Sequence, residues 1–450
     1  MADSYLQKTF TSNGNRRTMT ISFWVKRASE GTQTTMMGTG STGAINSFIR
    51  FEAAGRLKIF DYNGQSDQWI VETSRYLRDC TSWYHLHFII DSTQSTAADR
   101  VQVWINGERV TKFNSPTYPD EDSEGNWNTA AQSWAIGCQR YSGSNSQFFD
   151  GQIAHMNFID GTACAATVFG ETDSTTGEWK PILSPSVTYG DEGFFLKFEN
   201  SGALGTDSSG NSNTFTVNGS LKQSISTPSN NFTTFDGNQT HSAVPIMGGT
   251  GLSAAPGAWC TMATNYAMLK GKWYVEGKYV SGTYSGVGFF RYGGNYSADV
   301  PNKNDYPGNF PEGYFYKINQ KVLATNAVET TYSGWASISA GDIAMMALDL
   351  DNGKAWYGIN GTWHDTGSGT GVPNTGAYPH HTFTTGTGNF WGVAAGGYDA
   401  TTMHFNFGEG RFGTTALSSA NDDNNSNGTF EYAPPAGFYS ICTKNIKEYG

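Results

Sequence analysis

Five small sets of side chains have the types and spacing that chemistry requires. Glu171 and Asp173 stand two apart, the beginning of an acid/base pair. A glycosidase needs two carboxyl groups about 5–9.5 Å apart on one surface, which alternate strand positions can supply. Here the pair falls in a Gly- and Thr-rich loop after Phe169, and Glu178 stands beyond a turn. Asp349 and Asp351 are also two apart. They could be an acid/base pair or a calcium clamp; alternatively Asp351 bonds the amides of the Asn352-Gly353 turn, as Asx side chains do. His85 and His87 point the same way from one strand face, either as two metal ligands or as a polar outer face with Leu86, Phe88 and Ile90 inside. No third ligand stands at a zinc-like spacing, which favours the outer face. His380-His381 are adjacent, so on a strand they face opposite ways and read as a loop pair. The acidic loop Asp120, Glu121, Asp122 and Glu124 could hold calcium, but it lacks the alternation and closing Glu of an EF-hand loop.

Nothing here completes a catalytic set. No Gly-x-Ser-x-Gly, His-Glu-x-x-His or phosphate-gripping Gly-x-x-x-x-Gly-Lys-Ser/Thr occurs. The expectation is a protein that is not an enzyme and carries no cofactor, with calcium unsupported.

The other chemical signal is aromatic. Tyr284, Tyr292, Tyr296, Tyr306, Tyr314 and Tyr316 lie in or beside the stretch Arg291–Gly313, which is dense in Tyr, Gly, Asn and Pro. Trp363 and His364 follow a hairpin turn. Aromatic faces stack on sugar rings or anchor protein interfaces at low entropic cost. Tyr284, Tyr292, Tyr296, Tyr306, Trp363 and His364 are the ligand-binding candidates.

Composition says what must position them. With 450 residues the chain exceeds one ordinary sandwich. It has 55 glycines, 14% aromatic and only 15% charged residues, which fits an all-β protein with many turns. No helical periodicity is sustained. The net charge is −11, with no dense basic run, which argues against nucleic acid. No apolar run approaches ~20 residues, so no membrane insertion is expected. The 5 cysteines are widely spaced and read as free thiols of a chain folded in a reducing cytosol.

Asn-Gly pairs mark tight hairpins at Asn106-Gly107, Asn352-Gly353 and Asn360-Gly361. An Ile-Asn-Gly strand end with an aromatic residue one or two positions before the Ile occurs once per half, so the chain reads as two β-sandwiches, residues 1–224 and 225–450. In Thr18–Arg27, Met19, Ile21, Phe23 and Val25 alternate onto the core face and Trp24 falls on the other. Gly193–Phe198 is expected to pair near the N-terminal strand, Gly31–Gly43 reads as a glycine-rich loop, and Phe232–Ala267 as a loosely patterned lead-in.

In the first half, Trp24-Val-Lys-Arg27, Trp83-Tyr-His85, Val103-Trp-Ile-Asn-Gly107 and Phe149-Asp-Gly-Gln-Ile-Ala-His-Met156 resemble the laminin G-like, concanavalin-type jelly roll. The stretches 169–181, 189–196, 205–211 and 430–446 resemble a version in fibre and appendage proteins of marine tailed phages. In the second half, Gly271-Lys-Trp-Tyr-Val-Glu276, Leu348-Asp-Leu-Asp-Asn-Gly353 and His404-Phe-Asn-Phe-Gly408 resemble the SPRY family, another concanavalin-like sandwich whose edge loops bind protein partners.

These resemblances imply two concanavalin-like jelly-roll sandwiches in tandem, in a virion tail fibre, head fibre or capsid decoration. The protein would be made in the host cytoplasm without a signal peptide. Its partners would be other virion proteins, further copies of itself, trimers among the options, and a host-surface glycan or protein. The alternatives are a glucanase-like enzyme on the same fold and a cellular SPRY-type protein-binding module.

Overall fold

The computed structural model describes residues 4–28, 30–40, 45–63, 65, 67–175, 177–292 and 305–450. The chain divides into two compact units, Met1–Gln223 and Ser224–Gly450, and each is an antiparallel two-sheet sandwich.

In the first unit one sheet runs in the spatial order Thr216–Asn218, Tyr5–Thr9, Ser133–Ile136, Thr34–Gly40, Ile45–Phe51, Arg56–Asn63, Asp67–Tyr76. The facing sheet runs Phe194–Leu196, Gly151–Asp160, Thr18–Arg27, Tyr84–Asp91, Val101–Ile105, Glu108–Arg109. Met19, Ile21, Phe23 and Val25 enter the core beside Phe88, Trp134 and Phe158, as the alternation predicts. Asn106 and Gly107 both have positive φ (50° and 79°), the geometry a two-residue hairpin needs.

Two expectations need correction. The stretch read as a glycine-rich loop contains the fully buried strand Thr34–Gly40. Its Gly38 sits in the sheet interior, where an added Cβ would press on backbone 3.3 Å away. Phe194–Leu196 pairs with Gly151–Asp160, while Tyr5–Thr9 lies in the opposite sheet. Trp24 is buried and stacks on His85 with ring centroids 4.9 Å apart. The outer face of Thr18–Arg27 is therefore also covered: Thr20 Oγ1 donates to the Thr162 carbonyl and accepts the Cys164 amide.

In the second unit one sheet runs Phe235–His241, Trp259–Thr264, Phe390–Tyr398, Tyr284–Tyr292, Gly313–Lys317, Val322–Thr325, Val328–Thr331. The other runs Ala243–Ile246, Gly251–Ala254, Thr402–Asn406, Lys272–Ser281, Ile343–Asp349, Lys354–Ile359, Thr362–Trp363. The last three strands are consecutive antiparallel neighbours, with Asn360 and Gly361 at φ 49° and 81°. The lead-in Phe232–Ala267 contributes four strands. A short helix, Thr443–Tyr449, closes the unit.

Candidate functional site

Strand alternation sorts the aromatic candidates. On Tyr284–Tyr292 the odd positions Val287 and Phe289 face the core. The even positions Tyr284, Gly286, Gly288, Phe290 and Tyr292 face outward. On Gly313–Lys317, Tyr316 enters the core and Tyr314 packs against it, while Phe315 and Lys317 face outward. Tyr314 and Tyr316 thus leave the expected surface group.

At one end of this outer face the register lines up three rings. Trp259 and Tyr284 both pair with Tyr398 on the strand between them. The centroids of Trp259 and Tyr284 are 5.4 Å apart, those of Trp259 and Tyr398 5.2 Å, and those of Tyr284 and Tyr398 5.9 Å. All three side chains are half-buried. Thr401, itself buried, ties two of them together: its Oγ1 lies 2.8 Å from the Tyr284 carbonyl and 2.7 Å from the Tyr398 carbonyl. Its methyl group comes so close that a Cβ on Gly397 would stand 2.7 Å from it.

Tyr306 packs against the cluster, 4.9 Å from Trp259. It is buried, and its hydroxyl donates to Glu329 Oε1 at 2.6 Å. Lys317 Nζ sits 3.7 Å from the Tyr306 ring centroid and 5.0 Å from that of Trp259, and donates to the same Glu329. Burial pushes the Glu329 carboxyl up, but the Lys317 and Tyr306 bonds more than offset this and hold it below the usual range. Burial and the Glu329 bond together raise the Tyr306 hydroxyl.

The structure separates the remaining candidates. Tyr292 lies at the far end of its strand from Tyr284. It packs on Phe290 at 4.5 Å and donates to the Thr264 carbonyl at 2.7 Å. Trp363 packs with Tyr432 against Tyr274 and Trp356 of the other sheet and against Phe430 and Phe438, which lie outside it. His364 is buried and stacked on Trp335 with centroids 4.1 Å apart, its Nε2 2.8 Å from the Tyr316 hydroxyl. Tyr296 lies outside the described residues. Sequence reasoning missed Trp259, Tyr398 and Lys317, because Trp259 fell in the lead-in to which no strand was assigned.

The chemical pairs resolve differently from their first reading. His85 and His87 are both buried (1% and 0% exposed), so neither lies on a solvated face. Trp179 Nε1 donates to His85 Nδ1 at 3.0 Å, and Ser22 Oγ lies 2.8 Å from His85 Nε2. An indole N–H only donates, so Nδ1 carries no proton and the neutral ring donates from Nε2 to Ser22. Burial lowers both histidines, His87 to about 3. His380 and His381 do not diverge: both rings pack on Tyr357, at 5.9 and 5.7 Å. Asp349, not Asp351, caps the turn: its Oδ1 accepts the Asn352 amide at 3.0 Å, while Asp351 accepts the Gly271 amide at 2.8 Å. Glu171 and Asp173 share Lys180, at 3.4 and 3.2 Å. In the acidic loop Glu121 pairs with Arg100 and Glu124 with Arg16. Among the described residues no group of three or more His, Cys, Asp or Glu is placed to hold a metal.

Residues 2–169 match the family model of the concanavalin A-like lectin/glucanases superfamily. No curated protein matches the chain. Similar solved structures include the SPRY domain of human HERC1, at 14% identity over 38% of this chain and 96% of that one, TM-score 0.28. A heptameric SAP-like pentraxin from Limulus polyphemus is 13% identical over 36% of this chain and 72% of that one, TM-score 0.28. The PSpry domain of TRIM65 is 14% identical over 39% and 88%, TM-score 0.28.

Proposed function

We propose that this protein is a non-enzymatic binding protein that uses the outer-face rings Trp259, Tyr284 and Tyr398 to hold a surface glycan. One observation carries the reading. Three half-exposed aromatic side chains stand side by side on three neighbouring strands, Trp259 and Tyr284 each in register with Tyr398, and Thr401 ties the Tyr284 and Tyr398 backbones together. Preorganised rings gain stacking contact with a sugar while losing little entropy.

Binding is favoured over hydrolysis because the carboxyl groups with a spacing or pKa suited to catalysis, Glu171, Asp173 and Glu276, are committed elsewhere. Glu171 and Asp173 share one lysine. Glu276, whose pKa burial raises to about 7, resembles a general acid in that respect alone. It is 0% exposed, and its oxygens accept bonds from Tyr274, Asn406 and the amides of Glu431 and Tyr432, so no substrate reaches it.

The motifs at 169–181 and 430–446 support the finer reading of a virion appendage, assembled with further copies and other virion proteins and facing a host surface. Mass spectrometry of purified particles tests that reading, and absence of the chain from them would end it. A glycan array probed with the full chain tests the binding reading: wild type retains at least one class of saccharide and Trp259→Ala retains none. Reducing ends released from any of those saccharides would return the enzyme alternative.

A further inference from the structure

The charge around the ring cluster bears on which sugar fits. Among the described residues, four charged side chains are bonded to, lie over or are next in sequence to the rings Trp259, Tyr284, Tyr306 and Tyr398: Asp305, Lys317, Glu329 and Asp399. The single ammonium, on Lys317, is buried and committed to Glu329. Asp305 is also engaged, with Oδ1 accepting the Tyr306 amide and Oδ2 accepting from Asn309.

Asp399 differs. It is exposed and follows Tyr398 directly. Its Oδ1 accepts the Gly257 amide at 3.0 Å, and its own amide donates to the Ala258 carbonyl at 3.3 Å. These bonds clamp it against the turn that leads into Trp259. Among the described residues its second oxygen faces no protein donor. Asp399 and Ala400 both occupy the left-handed region, at φ 54° and 56°, a conformation unfavourable for alanine. The chain holds that strained pair directly after Tyr398, with the Asp399 carboxylate bonded to the turn two residues before Trp259.

The rings do not form a cation cage. Centroids 5.2–5.9 Å apart mean that they touch one another, and the cation seat over Trp259 and Tyr306 is already filled by Lys317. The ligand must therefore lie across the outside of the cluster.

Resting on the glycan reading above, we infer that this site takes an uncharged pyranose, its apolar face on the rings and a hydroxyl donating to Asp399. Uronates and sulfated sugars would meet unpaired negative charge at Asp399, with no uncommitted cation among the described residues at the cluster to receive them. A carboxylate accepts a hydroxyl proton roughly twice as strongly as a neutral acceptor does.

The test is calorimetric titration of the full chain with cellohexaose and maltohexaose, and with hexamers of alginate and polygalacturonate, at low salt, where charge effects reach furthest. Asp399→Asn is the informative variant, since Asn tolerates the left-handed backbone and keeps an acceptor for Gly257. The expected result is that a neutral hexamer binds wild type at least about tenfold more tightly than either uronate. Asp399→Asn should weaken that binding about tenfold and narrow the gap. Uronates binding as tightly as neutral hexamers, or Asp399→Asn binding like wild type, would overturn the inference. If uronate binding is lost in Trp259→Ala, the ring site stands and only its charge preference fails. If no hexamer binds, or none responds to Trp259→Ala, the inference falls together with the reading beneath it.

Discussion

The Glu276 carboxylate accepts the backbone amide of Tyr432 at 2.8 Å, joining residues 156 apart in sequence. Its other oxygen takes the Glu431 amide at 2.9 Å, while the Tyr274 hydroxyl and the Asn406 amide complete the ring of donors. A carboxylate buried with no cation is tolerated because donors surround it. The segment carrying Phe430, Tyr432 and Phe438 is thereby held over Tyr274 and Trp356 on the outer face of its sheet.

Glu276→Gln keeps the shape but turns an N–H₂ toward a backbone amide. The account predicts a loss of about 1–3 kcal/mol in stability, and faster hydrogen exchange at residues 428–441 than in the core strands. Unchanged exchange in that segment would show that the apolar contacts alone hold it.

Acid should weaken the second unit. Burial lowers His364 to about 4 and His381 to about 4; burial, with the neighbouring histidines adding, lowers His380 to about 3. Below an unfolded value of ~6.5 the unfolded chain binds protons that the folded one refuses, so the stability these rings contribute above that pH is lost as pH falls. Glu276 runs the other way: with its folded pKa raised to about 7, its contribution is greatest below ~4.3 and is lost as pH rises toward 7. Three histidines outweigh one carboxyl, so the urea midpoint of this unit should be lower at pH 5 than at pH 7. A higher midpoint at pH 5 would mean that Glu276 dominates.

Thr401→Val removes a hydroxyl shared by two carbonyls while keeping the shape that packs against Gly397. It should lower stability by about 1–2 kcal/mol and weaken saccharide binding, although Thr401 itself is buried. Thr401→Ser, which retains the hydroxyl, should bind nearly as wild type. Equal binding by both variants would show that the rings hold their level without it.

Trp179→Phe deletes the donor to His85 Nδ1. The orphaned acceptor should lower the stability of the first unit by about 1–2 kcal/mol. Nitrogen-15 shifts of His85 should also move away from those of a ring protonated only at Nε2. Unchanged shifts would mean that Ser22 alone sets the tautomer.

Much of this architecture is legible in the residues themselves. Alternation places Met19, Ile21, Phe23 and Val25 in the core, and Asn106-Gly107 and Asn360-Gly361 mark true two-residue turns, because both signals are local. What the sequence hides is covering. Nothing within Trp83–Asp91 indicates that Trp179, some ninety residues on, seals His85 from solvent. The Thr34–Gly40 strand carries glycines because neighbouring backbone crowds it, and glycine content reads as loop. The ring site hides for a similar reason: Trp259, Tyr284 and Tyr398 meet only through sheet order, and one of the three sits in a stretch whose pattern is weak. Tyr306 stands out in the sequence because it is close to other tyrosines, yet it is buried against Trp259 rather than presenting a surface itself.

The most direct measurement is a crystal or cryo-EM structure of the full chain with the tightest-binding neutral hexasaccharide. The account predicts a pyranose lying across Trp259, Tyr284 and Tyr398 with a hydroxyl within hydrogen-bonding distance of Asp399. Saccharide density elsewhere, with these rings bare, would contradict it.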